Sequence, residues 1–288
     1  MQQPLVTIIC ISFNHSAYLK DALTSIGRLN YTNIQLIIAD DASTDNSQEL
    51  IKELVAHKHC ELLLNATNIG HCKTFNKALL LAKGEYVIDL AADDILVPDS
   101  INVAVAKLEE KGESYGVFFA DAELIDNSGS TIGEHKTQSY FKDVQVPEED
   151  VYSMLLSKYF INPPTMVFRK SLLDTLNGYN EEMSYEDFDF WVRSSRVSNY
   201  CYEPVITIQK RILSTSVSSQ QYDKNSKMLS STLSICKTAL ELNKTKLEDV
   251  ALLKRIGYEG KMSLTSRNYF MGLQFFILGI KVLFKIRL

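Results

Sequence analysis

Carboxylates that could do chemistry occur first at residues 40–45, Asp-Asp-Ala-Ser-Thr-Asp, directly after an apolar run over residues 34–39. One interpretation is a capped turn, since Asp and Ser side chains readily hydrogen-bond the nearby backbone. Three carboxylates at the end of a buried strand repel one another, however, unless a cation or hydrogen-bond donors lie close by. The imide N–H of uracil is such a donor, so the segment predicts either a structural turn or a nucleotide-binding loop.

A second acidic pair, Asp93-Asp94, follows the apolar run at residues 85–90. Acids ahead of a helix interact favourably with its dipole. Pro98 and Asp99 already supply a helix start, with Asp99 as the cap, so the pair exceeds what capping needs. Carboxylate oxygens suit magnesium or manganese, which bind such groups together with substrate phosphates.

A third acidic pair, Glu186-Asp187, opens a predicted helix. Ser184 and Asp187 have the spacing of a capping box, with Asp in the usual place of Glu or Gln, which gives Asp187 a structural role. The positive end of the helix dipole also favours an ionised carboxylate there, and an ionised carboxylate can act as a base. The two roles are compatible.

Other motifs are weaker. Residues 70–74 lack the glycines of a phosphate-binding loop, and the absence of G-x-G-x-x-G argues against a nicotinamide enzyme. The five histidines form no H-x-x-x-H pair, so a zinc site is not expected. Trp191, the one tryptophan, is expected in the core rather than as a stacking platform.

The elements that must position these residues alternate along the first 120 residues. β-Branched and apolar runs predict strands, and apolar stripes with helical spacing predict helices. Strands are predicted at residues 6–11, 34–39, 61–64 and 85–90, and helices at 16–26, 47–55 and 72–82, with Gly84 ending the last. Such alternation predicts an α/β fold with a parallel sheet, in which ligands bind at the carboxyl ends of the strands.

Further along, the pattern is looser. Strands are predicted at residues 117–119, 122–125 and 165–168, and a helix at 185–197. A serine-rich loop is predicted at 214–219, and mainly helix after it. We predict one α/β domain over residues 1–219, with halves at about 1–120 and 121–219, followed by a helical extension over 220–288.

The C-terminal segment, residues 269–288, is rich in Phe, Leu and Ile. Arg267, Gln274 and Lys281 recur at seven-residue intervals and form a narrow polar stripe on an apolar helix. The uncharged run at residues 268–280 is too short to span a bilayer. A helix lying on an anionic membrane surface and a helix packed on the domain or on a second copy remain alternatives.

The amino-acid composition excludes several classes of protein. The chain has 288 residues, 45% of them hydrophobic, which excludes a disordered protein. Its 30 Lys and Arg against 35 Asp and Glu argue against nucleic-acid binding. Five scattered cysteines indicate reduced, mostly buried thiols in the cytosol, and the first residues lack the pattern of a signal peptide.

Together these segments resemble the family 2 glycosyltransferases, inverting enzymes of the GT-A fold that use nucleotide-activated sugars. The resemblance extends from about residue 6 to 218, and its order and spacing are more specific than any one motif. The matching positions are residues 6–14, 18–19, 25–26 and 40–45, Asn68, Gly70, Asn76, residues 83–86, Asp93-Asp94, residues 178–181, and Glu186, Asp187, Asp189, Trp191 and Arg193.

The resemblance implies roles for single residues. Ser12 and Asn14 would line the nucleotide pocket, and Asp41, helped by Asp40, would bind uracil and ribose. Asp93, with Asp94 beside it, would ligate the Mn²⁺ or Mg²⁺ that bridges the donor diphosphate. Asp187 would deprotonate the acceptor hydroxyl. Glu186, Trp191 and Arg211 would bind or support the acceptor.

Two departures bear on the metal. The family often has Leu-Asp-x-Asp-Asp where this chain has Ala91, and an Arg-x-His-x-x-Ser-x-Ser stretch whose histidine is Leu213 here. Both losses predict a metal held by Asp93, diphosphate oxygens and water, and therefore weak metal binding without donor.

The resemblance implies a UDP-sugar donor and a glycan or lipid-linked saccharide acceptor, in lipopolysaccharide, O-antigen or capsule synthesis. The expected location is the cytoplasm, with peripheral contact to the inner face of the membrane or a homodimer contact through the C-terminal helix. Loops at residues 133–147 and 214–222 would select the acceptor. The alternative function is a catalytically degenerate protein that binds nucleotide sugar or serves as a scaffold.

Overall fold

The computed structural model describes residues 3–56, 59–213, 221–224 and 226–287. The predicted serine-rich loop at residues 214–219 lies outside the described residues, as does most of the predicted acceptor loop at 214–222.

Nine strands occur in the described part of the chain and form a single sheet. They are β1 (Val6–Ser12), β2 (Ile34–Asp40), β3 (Glu61–Leu64), β4 (Tyr86–Ala91), β5 (Ile95–Leu96), β6 (Tyr115–Ile125), β7 (Thr131–His135), β8 (Val167–Arg169) and β9 (Asn199–Arg211).

The strand order is β3-β2-β1-β4-β8-β6-β9-β5, with β7 paired to β6. The first four strands pair in parallel, as the alternation of strands and helices predicted. Beyond β4 the sheet is mixed: β8 is antiparallel to both β4 and β6, while β9 is parallel to β6. The prediction of a mostly parallel sheet is therefore correct for the first half and too simple for the second.

Ten α-helices are described. They are α1 (Leu19–Ile26), α2 (Ser47–Val55), α3 (His71–Leu79), α4 (Ser100–Lys111), α5 (Tyr152–Ser157), α6 (Lys170–Leu176), α7 (Glu186–Ser194), α8 (Lys227–Leu242), α9 (Lys246–Thr265) and α10 (Tyr269–Arg287), with 3-10 turns at Thr137–Tyr140 and Pro163–Thr165.

The core of the sheet lies on both faces of β1. Its alternate residues Val6, Ile8 and Cys10 belong to one buried cluster with Leu23 of α1 and Ile101 of α4. On the other side, α3 packs against β1 and β2. Coverage on both faces explains why β1 is a continuous apolar run rather than an alternating one.

Two long strands were not predicted as such. Residues 117–119 and 122–125 belong to the single strand β6. Its pairing with β9 shifts register on both sides of Asp121, and the strand continues through these shifts. The strand β9 was missed, although Val205 to Ile208 are β-branched and apolar, because Pro204 and Glu203 interrupt the pattern. The strand forms despite this interruption because it pairs with β6 over most of its length.

One predicted end signal is wrong, and a second is correct in position but not in its hydrogen bond. Gly84 does not terminate α3, which ends at Leu79. Instead a Cβ at Gly84 would lie 2.5 Å from the backbone nitrogen of Thr7, so the glycine permits close approach to β1. Asp99 stands at the N-cap position of α4 but makes no side-chain capping bond, and its Oδ1 accepts from Asn30 Nδ2 at 2.8 Å.

Contacts divide the chain into two compact units. The first, the sheet unit, comprises Met1–Glu149, Ile161–Tyr179 and Ser198–Ile212, and the second, the helical unit, comprises Asp150–Phe160, Asn180–Val197 and Leu213–Leu288. The helical unit thus includes α5 and α7 together with α8, α9 and α10. The boundary predicted at 219/220 places α5 and α7 with the sheet instead.

Candidate active site

The carboxyl ends of β1, β2 and β4 lie side by side in the sheet. Ser12 pairs with Asp40 of β2, and Ile11 pairs with Ala91 of β4. The candidate donor-binding residues lie at the ends of these three strands or just after them, so they share one edge of the sheet unit, as the topology predicted.

The loops after β1 and β2 are tied together through Asn14. Its backbone N–H donates to Ser43 Oγ at 2.8 Å, and its Oδ1 accepts from the Thr44 N–H at 2.8 Å. Both Asn14 (φ 58°) and Ala42 (φ 59°) adopt the left-handed conformation, which is costly for an alanine and clusters at functional sites. The hydrogen bonds between the loops stabilise that strained backbone.

Asp40 and Asp45 hold these loops in shape. Asp40 is fully buried and accepts from the Ser43 N–H and from Gln48 Nε2. Partial burial would raise the pKa of Asp45, but hydrogen bonds from Ser47 and Ser16 outweigh it and lower the pKa to about 2. For these two carboxylates the structural explanation, a capped turn, is confirmed.

Asp41 links β2 to the start of α3. Its Oδ1 accepts from Asn65 Nδ2 at 3.0 Å and from the Ile69 N–H at 2.9 Å, and its Oδ2 accepts from the Gly70 N–H at 2.8 Å. The carboxylate is buried beside the positive end of α3. Asn65 was not singled out from the sequence, although its place directly after β3 was a signal that it belongs to the same edge.

Asp93 and Asp94 follow β4 in unequal environments. Asp94 is buried, and burial, reinforced by the negative charge of Asp93, raises its pKa to about 7. The Arg211 N–H donates to Asp94 Oδ1 at 2.8 Å, while Arg211 Nε donates to the Asp93 carbonyl at 3.0 Å. The side chain of Asp93 is 14% exposed, so it is the member of the pair that can reach a ligand.

Arg211 lies at the same edge of the sheet unit. Its guanidinium also donates to the carbonyl of Asp126 at 2.9 Å and lies 4.6 Å from the ring centre of Tyr18. With its side chain almost wholly buried, Arg211 joins β9 to the loop after β4 and to α1. These contacts give it a supporting place beside Asp93 and Asp94.

The residues at this edge fit a divalent cation that takes few ligands from protein. Among the described residues no group of three His, Cys, Asp or Glu side chains is arranged to hold a metal. His15 Nε2 lies 4.0 Å from Asp93 Oδ2, and the buried atoms Ser12 Oγ and His15 Nδ1 have no hydrogen-bond partner among those residues. Crowded negative charge at Asp93 and Asp94, with few competing ligands, suits a cation that also binds phosphate and water.

Asp187 lies in the helical unit, at the second residue of α7. The predicted capping box is wrong, because Tyr185 occupies the N-cap position and the Ser184 N–H donates to Ser231 Oγ at 2.9 Å. Burial, followed by the charge of Asp187, raises the pKa of Tyr185. Asp187 is half-buried, as is Glu186 before it.

The rest of α7 is anchored in the helical unit. Trp191 is buried, which confirms the prediction that it is a core residue, and Asp189 Oδ2 accepts from Arg193 Nε at 2.6 Å. The buried Arg255 lies 3.4 Å from the ring centre of Tyr159, whose ring packs edge-on to Phe188 of α7. Sequence reasoning missed this support, because its members are far apart in the chain.

The structure therefore places the candidate residues in two groups. Seven lie at one edge of the sheet unit: Ser12, Asn14, Asp40, Asp41, Asp93, Asp94 and Arg211. Three lie on α7 in the helical unit: Glu186, Asp187 and Trp191.

Some residues of the resemblance have a purely structural role here. Asn76 Nδ2 donates to the Tyr179 carbonyl at 2.8 Å, and the Tyr179 N–H returns a bond to Asn76 Oδ1 at 2.9 Å. Gly178 is left-handed (φ 71°), and a Cβ there would collide with Asn76 Oδ1. This contact joins α3 to the chain after α6.

A family model described as Glycosyl transferase family 2 matches residues 7–175, more than half of the chain. The chain belongs to glycosyl transferase family 2. The matched range contains the sheet-edge carboxylates of this glycosyltransferase and ends before Asp187.

Two relatives are uncharacterized glycosyltransferases. One, of Methanocaldococcus jannaschii, is 28% identical over 202 residues, which are 67% of this chain and 65% of the relative. The other, of Haemophilus influenzae, is 26% identical over 223 residues, 75% of this chain and 68% of the relative. This glycosyltransferase thus spans about two thirds of the length of these relatives.

Solved structures share the GT-A fold. S. aureus TarS 1-349 in complex with UDP-GlcNAc has a TM-score of 0.72 at 19% identity, covering 91% of this chain and 74% of TarS 1-349. Mannosyltransferase PcManGT from Pyrobaculum calidifontis, in complex with GDP-Man and Mn²⁺, has a TM-score of 0.66 at 15% identity, covering 99% and 88%. At these identities the likeness shows the fold of this glycosyltransferase.

Proposed function

We propose that this glycosyltransferase moves one sugar from a UDP-sugar to an acceptor hydroxyl with inversion at the anomeric carbon. The observation that carries the proposal is the shared sheet edge at which Asp41 and Asp93 follow β2 and β4, the two parallel strands on either side of β1. That edge is where open α/β sheets bind their ligands. Solved relatives in complex with UDP-GlcNAc and with GDP-Man support a nucleotide-sugar donor.

In this proposal Asp41, with Ser12 and Asn14, binds the nucleoside. Asp41 is already oriented by Asn65 and by the N–H groups of Ile69 and Gly70, just before α3, so little ordering is needed when uridine binds. Asp40 contributes by fixing the loop, because it is fully buried and shapes the turn through Ser43 and Gln48. Because these side chains are already in place, the donor can bind without rearrangement of the sheet.

Asp93 would hold the donor diphosphate through Mn²⁺ or Mg²⁺, with Asp94 and Arg211 fixing the loop behind it. A divalent cation held by Asp93 would supply positive charge that stabilises the leaving diphosphate. The PcManGT complex with Mn²⁺ supports this assignment.

Asp187 would act as the base. It takes the proton of the acceptor hydroxyl while the acceptor oxygen bonds to the anomeric carbon and the bond to the diphosphate breaks. The nucleoside diphosphate leaves from the opposite face, so one carboxylate gives inversion in a single step. The position of Asp187 at the start of α7 supports the ionised form that a base needs.

The proposed acceptor is a glycan or a lipid-linked saccharide, in the synthesis of lipopolysaccharide, O-antigen or capsule on the cytoplasmic side of the membrane. Support for this comes from the family resemblance. The buried cysteines Cys10, Cys72, Cys201 and Cys236 agree with a reducing compartment.

A donor panel tests the proposal. UDP- and GDP-sugars are titrated by calorimetry with and without Mn²⁺, and the best binder is then incubated with acceptor saccharides. We expect a UDP-sugar to bind in a Mn²⁺-dependent manner and to be consumed with an inverted product by NMR. Donor binding without any turnover would favour the degenerate binding protein, and preference for a GDP-sugar would overturn the assignment of uridine.

A further inference from the structure

Helix α10 leaves one apolar face uncovered. Its other side packs on α9, where Phe275, Leu278 and Val282 are buried and Gly272 permits close contact with Leu264. At 3.6 residues per turn, the exposed apolar side chains cover a continuous arc of about 140°. We call them the α10 apolar face: Tyr269, Phe270, Leu273, Phe276, Ile277, Ile280, Leu283 and Phe284.

The size of this face is unusual for a surface helix. Phe270 is 71% exposed and Phe276 is 65% exposed, and Leu273, 54% exposed, lies between them on the helix surface. Scattered exposed apolar residues need no explanation, but a contiguous patch marks an interaction surface. α10 is also the one helix in the described part of the chain that is long and apolar enough to cross a membrane by length and composition.

The distribution of charge along the chain indicates what kind of partner binds the α10 apolar face. After Glu259 the sequence contains five basic residues and no Asp or Glu, although acids outnumber bases over the whole chain. The five are Lys261, Arg267, Lys281, Lys285 and Arg287. Lys281 is exposed at one border of the α10 apolar face, and Arg287 is exposed at its end.

This charge pattern favours an anionic partner over a second copy. A twofold interface would set the same basic segment against itself, and like charges across an interface are unfavourable. A bilayer with acidic headgroups offers apolar depth for the phenylalanines and negative charge for the lysines and arginine.

The packing of α10 favours a helix that lies in the plane of the membrane. Lys285 Nζ donates to the carbonyls of Leu240 and Asn243 at 3.0 and 3.1 Å and lies 3.2 Å from Asp249 Oδ1. Crossing the bilayer would break these bonds and expose the buried side of α9 to lipid. An in-plane helix keeps them, since only the outward face enters the membrane.

We propose that the α10 apolar face docks this enzyme reversibly onto an anionic phospholipid bilayer. The inference does not depend on the identity of the donor or acceptor. A chain that binds vesicles but no nucleotide sugar would refute the proposed function and leave this surface intact.

Sedimentation with vesicles tests it. The full chain is mixed with vesicles of phosphatidylcholine alone, or of phosphatidylcholine in which phosphatidylglycerol replaces part of the lipid, at low and high salt. We expect binding to the anionic vesicles that weakens with salt. Phe270→Ser with Phe276→Ser should reduce it about tenfold or more, because two inserted aromatic side chains are lost. Lys281→Glu with Arg287→Glu should reduce it only on the anionic vesicles.

Matched controls come from the same chain. Leu247 of α9 is 78% exposed but is not part of the α10 apolar face, and Lys52 of α2 is an exposed lysine of the sheet unit. Leu247→Ser and Lys52→Glu should bind vesicles as the wild type does. Circular dichroism melting of every variant shows that the fold is intact.

Three results would overturn the proposal. The first is the absence of binding to anionic vesicles. The second is a dimer in analytical ultracentrifugation that Phe270→Ser with Phe276→Ser dissociates, without vesicle binding, which would assign the face to a second copy. The third is binding that survives carbonate extraction, which would indicate a spanning helix.

Discussion

Single side chains at the start of α7 are the first place to test the chemistry. Replacing Asp187 by Asn keeps the shape of the side chain but removes the charge that accepts a proton. We expect transfer to fall by about a hundredfold to ten-thousandfold, the usual contribution of a positioned base, while the affinity for UDP stays within a factor of about two. Initial rates and calorimetry measure the two quantities.

Glu182→Gln is the matched control, since Glu182 is an exposed carboxyl on the chain just before α7. Its transfer rate should equal that of the wild type. Near-normal turnover of Asp187→Asn would remove Asp187 from the role of base.

Gly178 allows a test of how much the left-handed backbone and the close contact with Asn76 contribute to stability. Gly178→Ala combines a left-handed φ with a collision at Asn76, whose side chain bonds Tyr179. Strain and the lost hydrogen bonds should lower the free energy of unfolding by roughly 2–3 kcal/mol. Urea denaturation measures the change.

Gly112 provides the comparison for Gly178, because its φ is also positive (82°) but a Cβ there would meet open space. Gly112→Ala should cost less, about 1–2 kcal/mol, from the backbone strain alone. Equal losses in the two variants would mean that the contact between Gly178 and Asn76 contributes nothing.

The sequence alone was enough to identify the candidate residues. It was not enough to show which of them shape the loops and which lie where a ligand could bind. Asp40, Asp41 and Asp45 look equivalent in the sequence, yet two of them shape the loops and the third lies at the start of α3. Which donors reach each carboxylate depends on Asn14, Gln48 and Asn65, and these are set by tertiary packing rather than by local sequence.

At the scale of elements, helix ends were the weakest predictions. Ser184 has the right spacing for a cap on α7, but its backbone bonds Ser231, and the helix begins after Tyr185. The capping box that does form is at the start of α9, between Thr245 and Glu248. A cap depends on the direction from which the chain enters the helix, and that direction is a property of the packed molecule.

Helix α9 is also joined to the residues after α7 by a bidentate ion pair. Arg196 donates from both terminal nitrogens to the two oxygens of Glu248, at 2.9 and 2.8 Å. The bond from Arg196 lowers the pKa of Glu248 from 4.5 to about 2, against the effect of burial. A pKa that is depressed in the folded state stabilises the protein above pH 4.5, and this contribution is lost as the pH falls towards 2.

Glu248→Gln should therefore lower the free energy of unfolding by up to roughly 3 kcal/mol at pH 7, and by less than half as much near pH 3. Urea unfolding at the two pH values measures it. Glu110→Gln is the control, because the ion pair of Glu110 with Lys107 is exposed and long. A loss for Glu248→Gln that is independent of pH would contradict the assigned cause.

For the whole molecule, the α/β class and the parallel first half of the sheet followed from alternation alone. The mixed second half did not, because β8 has three residues and β5 has two, too few to show a pattern. These short strands form because neighbours of the sheet are already in place. The grouping of α7 with the C-terminal helices was equally invisible, since it rests on contacts between distant segments.

Ligand linkage is a prediction about the whole enzyme. With Asp93 as the main protein ligand, Mn²⁺ alone should raise the melting temperature little, whereas Mn²⁺ with UDP should raise it more than UDP alone. Asp93→Ala should abolish the difference that Mn²⁺ makes, and EDTA should do the same to the wild type. Glu113→Gln, an exposed carboxyl after α4, should behave as the wild type. Tight binding of Mn²⁺ to the ligand-free enzyme would contradict the assignment.

The interleaved course of the chain limits how this enzyme can be recombined with its relatives. A single crossover near residue 219 would transplant α8, α9 and α10 while α7, with Asp187, came from the other parent. Because α7 packs with those helices, the candidate base of such a hybrid would come from one parent and the helices packed around it from the other. Exchange of acceptor preference by domain shuffling therefore requires moving three separate stretches at once, with joints at residues 149/150, 160/161, 179/180, 197/198 and 212/213.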